Sequence, residues 1–148
     1  MVKLNTCFFI DIENCLISTR SGKDKPIALA DWSFNDVVLE YINSQDFDFI
    51  CLVSDRPISD IANKRRYEQL IDFIQEQLAK GFKIPVKTIY YNVADGYFNY
   101  PCPGGIFSFA IENDVNLANS VYVSEDTRAA HLSSVGIRFS LSNLILNG

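Results

Sequence analysis

Acidic and hydroxyl side chains recur directly after the apolar runs of this sequence. Asp11 and Glu13 follow the run TCFFI, Ser54 and Asp55 follow FICLV, and 124–126 (SED) follow VYV. An Asp carboxylate can attack a phosphoryl group, and carboxylates that share one site are neutralised by a hard cation such as Mg²⁺. Any one such acid is more often a turn or helix-capping residue, but their joint placement favours metal-assisted phosphoryl transfer.

Apolar runs alternate with helical patterns, which is typical of a parallel sheet flanked by helices. Ligands of such sheets bind beyond the carboxyl ends of the strands, where these acids lie. We therefore predict a Rossmann-like three-layer α/β/α sandwich with a parallel five-stranded sheet. The predicted strands are 6–10, 47–54, 86–91, 120–124 and 137–140, and the predicted helices are 34–44, 59–80, 104–115 and 127–134.

Local signals refine these elements. Ser33 is predicted to cap the helix 34–44, and Gly81 is predicted to end the helix 59–80. The segment 17–31, with the turn signal Ser21-Gly22, is predicted to be a loop or a small flap. The predicted core faces of these two helices are Val37, Val38, Tyr41 and Ile42 in the first, and Ile61, Tyr67, Leu70, Ile71, Ile74 and Leu78 in the second.

Length and composition limit the class of protein. The 148 residues fit one domain, 1–148, and 48% apolar with 21% charged residues excludes disorder, collagen and coiled coil. No segment approaches the roughly 18 consecutive apolar residues of a membrane helix, so we expect no membrane partner. The net charge of −5 argues against broad duplex binding but leaves room for a small phosphate or a nucleic-acid end.

The cysteines favour a reducing compartment. Cys7, Cys15, Cys51 and Cys102 form no C-x-x-C pair, so we interpret them as reduced, buried apolar residues. The single histidine leaves no recognisable zinc-ligand pattern. The first residues run from a short apolar stretch straight into acids, unlike a signal peptide. We expect a cytoplasmic protein.

The order of the motifs resembles the haloacid dehalogenase-like (HAD-like) phosphatases. The segment 11–17 (DIENCLI) looks like their first motif, Asp-x-Asp-Gly-Thr-Leu, and Ser54 looks like the hydroxyl of the second. The segment 120–137 is similar to the acidic fourth motif, and 101–110 (PCPGGIFSFA) resembles the Lys-Pro-x-Pro-Gly-Met segment before it. The spacing from 32–35 (WSFN) to the second strand resembles the small subgroup of polynucleotide 3′-phosphatases and histidinol-phosphate phosphatases, which implies no large cap domain.

The resemblance implies roles for individual residues. Asp11 would be the catalytic nucleophile, Glu13 the general acid/base, and the Ser54 hydroxyl a contact of the transferring phosphoryl group. The implied cofactor is Mg²⁺, and its ligands would be Asp11, the backbone carbonyl of Glu13, Glu125 and Asp126. The predicted substrate contacts are Asn14, Arg56 and Arg128.

Three readings of function remain open. The first is an enzyme, a phosphatase that acts on a phosphorylated small molecule or a nucleic-acid end. The second is a weak or inactive relative that binds a phosphate, a metal or a partner. It is favoured by Glu13 in place of the motif Asp, by Asn14 in place of Gly, by Cys15 in place of Thr, and by the absence of the motif-three Lys near Tyr100. The third is a receiver-like fold, ranked last because its phosphorylated Asp would end the third strand.

Overall fold

Five parallel strands form the central sheet in the computed structural model, which describes residues 4–23, 26, 28–54, 61–90, 104–124 and 136–141. Three α-helices and a two-stranded hairpin accompany this sheet within those ranges. In chain order the elements are β1 (Cys7–Asp11), β2 (Ile17–Thr19), β3 (Trp32–Phe34), α1 (Asp36–Asn43), β4 (Phe49–Ser54), α2 (Ile61–Ala79), β5 (Val86–Tyr90), α3 (Gly104–Glu112), β6 (Val121–Ser124) and β7 (Arg138–Leu141).

The strand order is β5-β4-β1-β6-β7, and every neighbouring pair is parallel. The first strand in the sequence therefore lies at the centre, between β4 and β6. The prediction of an α/β fold with a parallel five-stranded sheet is confirmed, and the order is consistent with a Rossmann-like fold. The predicted helix 127–134 lies outside the described residues.

The continuous apolar runs arise because the central strands are covered on both sides. All five residues of β1 and all four of β6 are buried. Side chains alternate along a strand, so β1 divides its residues between two apolar clusters. Phe8 and Ile10 pack with residues of α1 and α2, while Cys7 and Phe9 pack with residues of α3.

The helix α2 places its predicted stripe against the sheet. Its apolar residues recur every three or four positions, so they share one face of the helix. Gly81 follows the helix and its amide donates to the Leu78 carbonyl at 3.0 Å, as predicted for the stop. None of the helices in the described ranges has both the length and the apolarity to cross a membrane. The buried members of the stripe are Tyr67, Leu70, Ile71, Ile74 and Leu78; the side chain of Ile61 lies outside the described part.

The start of α1 differs from the prediction. Ser33 lies in β3 and does not cap the helix; the residue before the helix is Asn35, whose side chain makes no capping bond. Asn35 hydrogen-bonds other groups, as described below. On the predicted core face, Val38 and Ile42 are buried, but Val37 is 44% exposed. Tyr41 is half-buried against the same core, so the buried face of the helix is centred on Val38 and Ile42.

The segment predicted as a loop or small flap begins an antiparallel hairpin. Thr19 pairs with Trp32 and Ile17 with Phe34, and the turn contains Gly22 at a φ of 78°, which favours glycine. The Trp32 ring packs edge-on against Phe34 at 4.9 Å between centroids and approaches Phe73 of α2 at 6.2 Å. These aromatic contacts attach the hairpin to the face of the sheet that α2 covers.

The cysteines behave as apolar residues, as predicted. Cys7, Cys15 and Cys51 are reduced and buried, while Cys102 lies outside the described residues. Burial raises the pKa of the Cys51 thiol well above its ordinary value, and contact with Cys7 raises it further. Cys51 therefore stays protonated at neutral pH, and it contributes to the core rather than to a reactive site.

Candidate functional site at the carboxyl ends of the strands

Polar residues at the ends of three neighbouring strands lie at one edge of the sheet, and two of them, Asp11 and Ser54, are predicted site residues. Asp11 ends β1, Ser54 ends β4 and Ser124 ends β6, and these strands are parallel. Asp11 is in register with Val53, so Ser54 lies one position beyond it. The apolar runs that became β1, β4 and β6 therefore lie side by side and end at the same edge.

Asp11 is held by two hydroxyl groups of β6. The Tyr122 hydroxyl donates to Oδ1 of Asp11, and the Ser124 hydroxyl donates to Oδ2. Asp11 is only 1% exposed, and both hydroxyl residues are fully buried. A buried carboxylate is costly unless donors replace its water, and these hydroxyls supply that replacement. They also determine the plane of the carboxylate.

Glu13 is held by two hydroxyl groups from different elements. Its Oε1 atom accepts a hydrogen bond from Ser54 Oγ of β4 at 3.1 Å. The same oxygen accepts a second one from the Tyr67 hydroxyl of α2. Glu13 is 2% exposed, so it is as well shielded from solvent as Asp11. Each acid is thus paired with one serine and one tyrosine.

The partners of the two acids belong to opposite faces of the sheet. Along β1, Asp11 falls on the same side as Phe9, and Phe9 packs with Tyr122 in the cluster that α3 covers. Along β4, the Ser54 side chain points to the same face as that of Leu52. Leu52 packs in the cluster that contains Tyr67, on the face that α1 and α2 cover. The end of the sheet therefore carries one acid toward each face.

The turn after β1 makes this separation possible. The amides of Leu16 and Ile17 donate to the carbonyls of Asp11 and Ile12, five positions earlier, at 3.1 Å each. Asn14, in the middle of this turn, has a φ of 59°. That left-handed conformation favours glycine, and asparagine tolerates it better than most other residues. Asn14 in the place of the motif glycine is thus compatible with the backbone.

Asn35 attaches the same turn to the hairpin. Its Nδ2 donates to the Cys15 carbonyl at 2.6 Å, and its Oδ1 accepts from Ser18 Oγ at 2.8 Å. Its backbone amide donates to the Leu16 carbonyl at 3.0 Å. The side chain does not cap α1 because both of its ends are already bonded, one to the Cys15 carbonyl of the turn and the other to Ser18 of β2. The turn that carries Glu13 is therefore supported from outside the sheet.

Of the three predicted catalytic residues, Ser54 contacts Glu13, and Asp11 lies at the same edge of the sheet with its side chain toward the other face. Asn14, predicted to contact substrate, directly follows Glu13 in the turn and is half-buried. The remaining predicted site residues, Arg56, Arg128, Glu125 and Asp126, lie outside the described residues. Within the chain, Glu125 directly follows Ser124, whose side chain contacts Asp11.

Sequence reasoning missed the partners of the acids. Tyr67 was predicted only as a core residue, Tyr122 only as part of a strand, and Asn35 was given no role. Ser124 was noted as a hydroxyl after a strand but was not connected to Asp11. A signal was available for the tyrosines, because a buried phenol needs a partner for its hydroxyl. The identity of that partner depends on tertiary contacts.

The donors suit Mg²⁺ in kind, because carboxylate and hydroxyl oxygens are hard ligands. Asp11 and Glu13 supply two carboxylates at this edge of the sheet. Over the ranges that the structure covers, no group of three or more His, Cys, Asp or Glu side chains is placed to hold a metal ion. The predicted metal ligands Glu125 and Asp126 fall outside those ranges, so the Mg²⁺ site stays a prediction.

Comparisons with known proteins leave the family open. No protein-family model matches the chain, and no curated protein matches it. The HAD-like resemblance therefore stays a prediction that rests on the motifs at Asp11, Ser54 and 120–137.

Proposed function

We propose that this chain is a Mg²⁺-dependent phosphomonoesterase of the HAD-like type, with Asp11 as its nucleophile. One observation carries the proposal: Asp11 ends the central parallel strand at the carboxyl edge of the sheet, where Ser124 contacts it and where Ser54 of the adjacent strand contacts Glu13. This is where ligands bind in open α/β sheets. The two apolar clusters, one against α1 and α2 and one against α3, support the three-layer arrangement that the proposal requires.

The reaction uses the two acids in different roles. The Asp11 carboxylate attacks phosphorus, so that a bond from phosphorus to the Asp11 oxygen forms as the bond to the leaving oxygen breaks. Glu13 gives its proton to that leaving oxygen. Water then attacks the aspartyl-phosphate, Glu13 takes a proton from the water, and inorganic phosphate leaves as Asp11 is restored. Tyr122 and Ser124 orient Asp11 for both attacks.

Charged residues that follow Ser54 and Ser124 in the chain are the proposed ligands of the metal and of the phosphate. Asp11, Glu125 and Asp126 would hold Mg²⁺, which when bound supplies positive charge next to the phosphate. Arg56 and Arg128 are the proposed contacts of the phosphate oxygens, in place of the missing motif-three Lys. An arginine can bind a phosphate through two parallel hydrogen bonds.

The proposed substrates are phosphorylated small molecules and the 3′-phosphate of a nucleic-acid end. The net charge of −5 supports recognition of a single phosphate over recognition of a long duplex. Three buried, reduced cysteines support a cytoplasmic location, where thiols are kept reduced.

A second candidate function is a phosphate- or metal-binding module without catalysis. The burial of both carboxylates favours it, since Asp11 is 1% and Glu13 2% exposed. Each is also already hydrogen-bonded to a serine and a tyrosine. A polar network of this kind can stabilise a fold without reacting.

Hydrolysis assays separate the two candidates. The wild type and Asp11→Asn are assayed with Mg²⁺ on p-nitrophenyl phosphate, on a panel of small phosphomonoesters and on an oligonucleotide with a 3′-phosphate. We expect Asp11→Asn to lose at least about 10³-fold in kcat, because the amide cannot act as the nucleophile. We also expect the wild type to lose its activity when EDTA removes the metal.

Asp46→Asn provides the matched control. Asp46 is exposed and precedes β4, at the opposite end of that strand from Ser54. The same chemical change at this position should leave the rate within about twofold of wild type, as is usual for surface sites. If wild type and Asp11→Asn show the same background on every substrate, the enzyme proposal is wrong. Phosphate or Mg²⁺ binding to that inactive wild type would then support the binding module.

A further inference from the structure

Tyr67 carries a polar group in a stripe that is otherwise aliphatic. Among the described side chains of this face of α2, the other members are leucines and isoleucines. The ring of Tyr67 packs in the same cluster and is only 8% exposed. A phenylalanine would fill that space equally well, so packing does not account for the hydroxyl. The hydroxyl must be explained by what it contacts.

The contact is with the acid after β1. The Tyr67 hydroxyl donates to Oε1 of Glu13, the oxygen that Ser54 also contacts at 3.1 Å. Tyr67 comes six positions after the first residue of α2, Ile61, which corresponds to about 9 Å along the helix axis. It is therefore a side chain of the first turns of α2 that reaches the carboxyl end of the sheet.

Glutamate needs such a contact more than aspartate does. Its extra methylene gives the Glu13 carboxyl one more rotatable bond and about 1 Å more reach, and a misplacement of that size in an active site can cost about 10²-fold. Two donors from separate elements, Ser54 of β4 and Tyr67 of α2, restrict the carboxyl to one place. The longer acid and the tyrosine are thus complementary parts of one arrangement.

We propose that Tyr67 is a positioning residue for phosphoester hydrolysis and acts through Glu13. This inference rests on the proposed function. Glu13 gives its proton to the leaving oxygen as the phosphorus–oxygen bond breaks, and later takes a proton from the attacking water. Tyr67 keeps its own proton throughout and holds the Glu13 carboxyl where both transfers occur.

Leaving-group dependence is the readout that a merely structural role would not change. A p-nitrophenolate leaves without a proton, whereas an alkoxide must be protonated as it leaves. We compare wild type, Tyr67→Phe, Glu13→Gln and the double variant on p-nitrophenyl phosphate and on glycerol 2-phosphate. Tyr41→Phe is the matched control, because Tyr41 packs against Phe8 in the same cluster without touching Glu13.

Tyr67→Phe should lower kcat/KM, which covers the steps up to departure of the leaving group, by about 10- to 100-fold on glycerol 2-phosphate and by less than about threefold on p-nitrophenyl phosphate. The later hydrolysis of the aspartyl-phosphate is common to both substrates and affects kcat alone. Tyr67→Phe should cause no further loss in the Glu13→Gln background, and Tyr41→Phe should match wild type. Equal losses of kcat/KM on both substrates, additive losses in the double variant, or no loss while Asp11-dependent activity persists would overturn the inference alone. A wild type without activity overturns both the inference and the proposed function.

A spectroscopic measurement covers the case in which Tyr67→Phe does not fold. With 3-fluorotyrosine incorporated at position 67, the hydroxyl is retained and ¹⁹F NMR reports its surroundings. Glu13→Gln should move this resonance, while Asp46→Asn should not. An unchanged ¹⁹F chemical shift in Glu13→Gln would overturn the inference.

Discussion

Asp11 and Glu13 are two positions apart in the chain, but the molecule holds them in different ways. Asp11 belongs to the central strand, and both of its hydroxyl partners, Tyr122 and Ser124, come from the adjacent strand β6. Glu13 lies in the turn beyond the strand, and its partners come from β4 and α2. The described partners of Asp11 belong to the sheet, whereas those of Glu13 include a residue of a helix, and Glu13 itself lies in a turn.

The difference matches the proposed roles of the two acids. A nucleophile needs one fixed direction of attack, and a residue in a parallel strand with buried neighbours has little freedom. An acid/base must meet a leaving oxygen in one step and a water in the next. The longer side chain of Glu13, which is held by a residue of α2 as well as by one of the sheet, suits that task. Changes to the sheet and changes to the supporting turn should therefore have separable effects.

The largest effect on stability is expected from the tyrosine on the Asp11 side. Tyr122→Phe removes a donor from a carboxylate that is 1% exposed, and a hydrogen bond to a charged group contributes about 1.5–3 kcal/mol. Tyr67→Phe should lower the free energy of unfolding by less than Tyr122→Phe does, because the flexible Glu13 side chain can adjust toward Ser54. The free energy of unfolding is measured by urea titration with the fluorescence of Trp32, the single tryptophan.

Tyr41→Phe again serves as the control and should stay within about 0.5 kcal/mol of wild type. A greater loss for Tyr67→Phe than for Tyr122→Phe would contradict the view that the sheet side is the more rigid of the two.

A smaller effect is expected where Asn35 supports the turn. Asn35→Ala removes the bonds to the Cys15 carbonyl and to Ser18, and should lower the free energy of unfolding by about 1 kcal/mol. Asn35→Asp keeps the acceptor for Ser18 but places a carboxylate against the Cys15 carbonyl, so it should cost more than Asn35→Ala. Both values come from the same urea titration.

The Asn35 variants also test, in the activity assay, whether the turn positions Glu13 without positioning Asp11. Because Asn35 supports the turn that carries Glu13, Asn35→Ala should reduce kcat/KM on glycerol 2-phosphate more than kcat/KM on p-nitrophenyl phosphate. Equal losses on the two substrates would mean that the turn also positions Asp11.

The smallest effect is expected at Asn14, where the φ of 59° disfavours most residues. Asn14→Ala should destabilise the fold by about 1 kcal/mol, and Asn14→Gly should stay within about 0.5 kcal/mol of wild type. Thermal unfolding measured by circular dichroism is sufficient to compare them. If Asn14→Ala were as stable as Asn14→Gly, the turn that carries Glu13 would not need a left-handed backbone at this position.

Several elements were predictable because their signals are local. The runs that became β1, β4 and β6 are apolar throughout, as strands covered on both faces must be, and they end in polar residues. The stripe on α2 and its stop at Gly81 follow from helical periodicity and from glycine at a helix end. Ser33 was misassigned because Asn35, two positions later, is the residue before α1. What that asparagine binds is decided by a turn some twenty positions away in the chain.

The sequence alone determined that Asp11 and Ser54 follow buried strands, because burial on both faces requires apolar runs and polar residues mark their ends. Only the tertiary structure decided that β1 lies between β4 and β6, since strand order depends on how helices and loops cross the sheet. It also decided that Tyr122 contacts Asp11 and that Tyr67 contacts Glu13. A phenol in an apolar stripe shows that its hydroxyl needs a partner, but the fold alone brings that partner within reach.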